Sequence, residues 1–287
     1  MLERAEYVEQ AYFFRVLLDR IGQSVPLQEL MEQTKYELLA TTRLPMAVDF
    51  LLAELKHHGL MNGGMKLLAH YFVPFQTFLI SEAEADRGRF DYRTALKILG
   101  AEAEYRTHET INRQGLFFFQ FEGISRNRLN YDRGLKAMSG DPAYSPEWQA
   151  WILIVRRQLG LVDLADMIYV RSELYQERRA RAGETEPEAP VLFGLSEGRI
   201  ALANRRKDPL FLFAAMQRHL GYPPVPKLEP IDPLPSLIPQ MQRSLERLES
   251  RIKLIEEEQR GGIDITKFYN SQGAKMAAPG DDLLKLD

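Results

Sequence analysis

The tetrapeptide Glu-Leu-Lys-His at residues 54–57 places Glu54 and His57 at i and i+3. By that spacing a helix offers a carboxylate and an imidazole to one iron or manganese ion in a bundle. His70, Glu82, Glu104 and His108 lie in other segments of helical character and could face the pair. A dinuclear carboxylate site, however, requires two Glu-x-x-His pairs and two further carboxylates. Glu54 and His57 are the one pair found, because Glu104 and His108 are spaced at i+4. A lone pair at this spacing is most simply a solvated helix face. The expectation is therefore no bound metal and no cofactor, with a carboxylate/histidine metal-dependent enzyme kept as the alternative.

Other chemistries are narrower still. The chain has no cysteine, which removes disulfides, thiolate metal sites and a cysteine nucleophile. The glycines at 63 and 64, in Asn-Gly-Gly-Met-Lys, lack the spacing and the preceding strand of a phosphate-binding loop. A net charge of −3 over 287 residues gives no general positive field for nucleic acid or an anionic membrane. The basic runs at 156–157, 177–183 and 204–209 read as helix C-termini and loops, where cations offset the negative end of the dipole. A second alternative is a helix-turn-helix DNA-binding regulator within residues 24–61. There Thr41, Thr42 and Arg43 stand at the start of the would-be recognition helix.

The most concentrated stretch runs from Gly115 to Gly134, with Phe117, Phe118, Phe119 and Phe121 followed by Arg126, Arg128 and Arg133. As a helix, Phe117, Phe121 and Ile124 share a face, and the pattern continues to Leu135 and Met138. A lone strand in a helical neighbourhood would leave its backbone groups unpaired. The phenylalanines are therefore expected in the core rather than stacked on nucleic-acid bases.

The elements that hold these residues are mostly helical. Tyr7, Ala11, Phe14, Leu17, Leu18 and Ile21 form one stripe over residues 3–21. Pro26 opens a helix to about Ala40, and Pro45 opens another that stops at Gly59. Pro74 predicts a kink or a break in the apolar run that follows residue 64. Ser145, Pro146 and Gly160 punctuate a further helix, and Asp163 caps the next, which carries apolar residues through Tyr175. Residues 191–203 can fold as a short β-hairpin around Ser196, Glu197 and Gly198. Asp208 and Pro209 start a helix that ends at Gly221.

The expected class is mainly α, an irregular helical bundle with that hairpin. Residues 1–182 form the bundle and 191–226 a smaller segment packed on it. A Pro-rich spacer follows at 227–235, then a heptad helix at 236–260 and a disordered tail at 261–287. In the heptad helix Ile238, Met241, Leu245, Leu248, Ile252 and Ile255 recur at alternating steps of three and four. The longest apolar runs, such as Ala150 to Val155, are far too short to span a bilayer, and no export signal is read at the start. These features predict a cytoplasmic, non-enzymatic scaffold or adaptor acting through protein–protein contacts. Its partner, or a second copy of itself, would meet the heptad seam; nucleic acid and a membrane span are not expected.

Overall fold

The computed structural model describes residues 2–21, 25–85, 90–108, 111–183, 189–227 and 252. The described residues form thirteen α-helices and no strand, so the chain is mainly α. None of these helices is long and apolar enough to cross a membrane. Residues 1–228 form one compact unit and 229–287 a second. In the second unit Ile252 is helical and exposed, while Ile238, Met241, Leu245, Leu248 and Ile255 lie outside the described residues.

The first helix, α1 (Arg4–Arg20), buries Tyr7, Phe14 and Leu17 as their periodicity predicts, and Phe13 beside them. It also buries Glu6, Glu9 and Gln10, because these side chains satisfy backbone groups elsewhere. The helix from Pro26 is shorter than expected, α2 (Leu27–Lys35). Beyond it the chain turns, and α1 takes up its free donors: Glu9 accepts Leu39 N–H at 2.9 Å and Glu6 accepts Arg43 N–H at 2.9 Å. Arg43 is the N-cap of α3 (Leu44–His58), which ends on Gly59 in the left-handed conformation at φ 73°.

Gly63 and Gly64 are part of α4 (Met61–Leu67). The Glu84 carboxylate accepts Met61 N–H at 2.6 Å and Asn62 N–H at 3.0 Å, which satisfies the helix start and offsets the glycine propensity. Gly64 is needed there, since a Cβ would stand 2.9 Å from Leu51 Cδ2 of α3. Pro74 marks the expected break in the apolar run rather than a kink in one long helix. It occupies the first turn of a new one, α5 (Pro74–Ala83), where its missing N–H is harmless.

Next come α6 (Tyr92–Tyr105), α7 (Arg113–Arg126) and α8 (Tyr131–Ser139), capped by Asp91, Asn112 and Asn130 respectively. The phenylalanine run is α7, and Phe117, Phe118 and Phe119 are fully buried. It stops before Leu135 because Arg128 turns the chain at φ 53°. Phe117 packs on Trp148 and Trp151 of α9 (Pro146–Gln158), with ring centroids 5.8 and 4.9 Å apart.

The apolar run after Asp163 is two helices rather than one, α10 (Leu164–Tyr169) and α11 (Glu173–Arg181). Ser172 makes the break, donating to Tyr169 O at 2.7 Å and capping α11. The extended residues 192–193 then pair with it, Glu173 N–H donating to Phe193 O at 3.0 Å. The hairpin expected over 191–203 does not form, because Leu195–Ala203 is α12. No second strand lies beside the extended piece, and Gly198 lets α12 approach Ser172, whose Oγ would stand 2.5 Å from an added Cβ. The last helix of this unit, α13 (Pro209–Leu220), is capped by Asp208 and packs Phe213 against Phe121 of α7 at 5.9 Å.

Candidate functional site

The residues whose spacing suggested metal chemistry lie on the surface. His57, His70, Glu104 and His108 are exposed, and the half-buried Glu54 approaches His58 at 3.8 Å. Among the described residues, no three Asp, Glu or His side chains converge on a point where a metal ion could sit. The helix-turn-helix residues are similarly occupied. Thr42 Oγ1 donates to Leu39 O at 2.9 Å, and the Arg43 guanidinium meets Glu6 at 3.4 Å. Both hold the entry to α3.

One further motif emerges. Gly194, Leu195, Ser196, Glu197 and Gly198 match Gly-x-Ser-x-Gly, the pattern of a hydrolase nucleophile elbow. An elbow strains its serine between a strand and a helix, but Ser196 sits in the first turn of α12 and is not among the positive-φ residues. Glu197 faces His219 of α13, 2.7 Å from Nε2. That contact joins α12 to α13 at a place where no sheet stands behind the serine.

Two places concentrate unusual physics. The first is a polar centre between α6, α7 and the turn before α9. Arg106 is fully buried, and its Nη2 donates to Glu102 Oε1 at 2.9 Å and also to Asp141 Oδ2. Gln120 Nε2 donates to Glu102 at 2.7 Å and to Asp141 at 3.2 Å, while Tyr144 O–H donates to Gln120 Oε1 at 2.8 Å. Burial disfavours the charged form of Arg106, but Glu102 and Asp141 outweigh it and hold the guanidinium well above its ordinary pKa. Burial, and then Asp141, raise the Tyr144 phenol. Such a set is tolerable in an apolar interior only because nearly every donor meets an acceptor.

The sequence reading missed this centre, although a signal existed. Leu99, Glu102, Ala103 and Arg106 lie at helical spacing on the buried stripe of α6, so an i,i+4 ion pair sits where apolar residues belong.

The second place is a groove of about 680 Å³ between the turn at 159–163 and the start of α13. Phe121 and Phe213 line it, and the bidentate Arg156–Asp132 pair, at 2.6 and 2.9 Å, forms one edge. The hydrogen bond from Arg156 holds the exposed Asp132 carboxyl below its usual range. Asp163 ties the two walls by accepting from Arg206 N–H at 2.6 Å. Leu161 on the turn is 86% exposed and Phe211 on the first turn of α13 is 62% exposed, with Val162 and Leu210 also in solvent. Isolated exposed apolar residues are ordinary, but Leu161 and Val162 stand side by side on the lining of the groove, as a contact surface would present them.

The chain was compared with protein-family models, curated proteins and solved structures, and none of them matches it.

Proposed function

We propose that the chain is a non-enzymatic helical scaffold or adaptor that works through protein–protein contacts, beginning with a second copy of itself. The observation that carries this reading is the exposed apolar edge of the groove, Leu161 and Val162, beside the buried rings of Phe121 and Phe213. A rim of this kind gains free energy when a partner covers it. The heptad seam of Ile238, Met241, Leu245, Leu248, Ile252 and Ile255 offers a second contact of the same chemistry, suited to a coiled coil. A chain without cysteine suits the reducing cytoplasm.

The test is the solution mass of the full chain at micromolar concentration, compared with two double variants, Leu161→Asp with Val162→Asp and Leu245→Asp with Leu248→Asp. The expected result is an oligomer for the parent chain and a lower mass for at least one variant. The groove variant should unfold within about 0.5 kcal/mol of the parent, as exposed substitutions do. A parent chain that is monomeric throughout overturns the reading.

A further inference from the structure

A cavity of about 300 Å³ opens where the start of α1 meets the end of α6 and the start of α7. Its floor is formed by Tyr7 and Arg106, each only 2% exposed, and Arg4, His108 and Arg113 stand around it. Its other lining residues are uncharged, so among the described residues no carboxylate faces into it. The Arg106 guanidinium carbon lies 5.9 Å from the centre of the Tyr7 ring. This cavity takes no part in the groove described above.

The floor carries polar atoms whose bonding capacity is unused. Arg106 Nε is buried without a hydrogen-bond partner, and the Tyr7 hydroxyl has no acceptor for its own proton. Burial raises the Tyr7 phenol above its ordinary value, against the lowering pull of the Arg106 guanidinium and of the Leu2 backbone, which lies within hydrogen-bonding reach of Tyr7 Oη. Such groups are expensive to strand, since each forfeits its bond to water with nothing in return. One is an obligate donor and the other donates when neutral, so both call for an acceptor.

The charge around the cavity selects the sign of that acceptor. Glu102 and Asp141 engage Arg106 through its terminal nitrogens. Glu102 Oε2 also lacks a partner, but Glu102 is not a lining residue. The centre alone holds two carboxylates against one guanidinium. Arg4, Arg106 and Arg113 line the cavity and, among the described residues, no carboxylate does, although Glu147 acts on Arg113 from outside the lining. Arg113 is anchored there by Nε donating to Ala143 O at 3.1 Å, which presents its terminal nitrogens as a fork. Guanidinium forks bind carboxylate and phosphate oxygens in this geometry.

We infer that this cavity is a binding site for a small oxyanion, a carboxylate or a phosphate, held at its floor by Arg106 Nε and Tyr7 Oη and at its rim by Arg113 and Arg4. An ordered water could satisfy the floor, but it would leave the rim arginines with no role. The site goes beyond the adaptor reading and does not depend on it.

The experiment is isothermal titration of the full chain with inorganic phosphate and, separately, with succinate, at ionic strength held constant with chloride. The expected result is saturable one-to-one binding of at least one of them. The paired substitution Arg4→Gln with Arg113→Gln should weaken it by about tenfold or more, as loss of charge-assisted hydrogen bonds does. Tyr7→Phe should weaken it several-fold while the protein stays folded, as circular dichroism would report. Asp132→Asn, in the separate groove, should leave it unchanged. Absence of saturable heat with both anions, or equal binding by the parent chain and the Arg4/Arg113 variant, would show that the cavity holds water only and overturn the inference.

Discussion

Consecutive residues of α7 enter two opposite environments. Gln120 reaches into a buried set of ionised groups, while Phe121 floors a groove whose edge leaves Leu161 and Val162 in water. In the first, charge is removed from solvent, so every partner is constrained by the others. In the second, apolar surface is left in solvent, so the fold itself places little demand on its identity. Perturbing the polar centre should therefore be read in stability, and perturbing the groove rim in association.

The largest expected effect breaks the centre. Arg106→Leu leaves Glu102 and Asp141 buried without their cation, and removing one member of a buried pair costs about 3–5 kcal/mol. Urea denaturation measures it, and a loss under about 1 kcal/mol would mean that the centre is no more constrained than the surface. A somewhat smaller effect tests the boundary between the two regions. Phe121 is 3% exposed and contacts Phe117, Tyr131 and Phe213. Phe121→Ala should cost about 3 kcal/mol, the low end for a buried ring, because the groove lets water fill part of the gap. A value under about 1 kcal/mol would place the ring with the solvent-facing rim.

The smallest effect per group appears in alkali. Burial raises the phenols of Tyr144 and Tyr222 above the ordinary value of 10.0, with Asp141 and Glu122 adding to it respectively. The folded state therefore keeps protons that the unfolded state releases, so ∂ΔG/∂pH is negative above the unfolded pKa. Their contribution is fully present below about pH 10 and is lost as the pH rises toward the folded values. The urea midpoint should hold level from neutral pH to about pH 9 and fall beyond pH 10. A level midpoint through pH 11 would show that these tyrosines reach solvent.

Much of the helical organisation is legible without coordinates. Pro146, Asp163, Asp208 and Gly221 each stand where their start and stop chemistry places them, and the four phenylalanines of α7 take the core. What the local pattern misses shares one cause. The glycines of α4 are helical because Glu84, more than twenty positions away, caps them. Residues 195–203 are helical because α12 must lie against Ser172 and α10 rather than seek a strand. Likewise Glu54 and His57 have a suggestive spacing, but spacing within one helix says nothing of what faces it.

What the sequence by itself determined is therefore local: helix content, most caps, and the apolar stripes, since these depend on residues within a turn or two of one another. The tertiary structure alone decided which polar groups would be taken out of water. Arg106 meets Asp141 across 35 positions and Tyr222 meets Glu122 across 100. A buried charge is stable only where distant segments deliver partners to it, and no local pattern records that delivery.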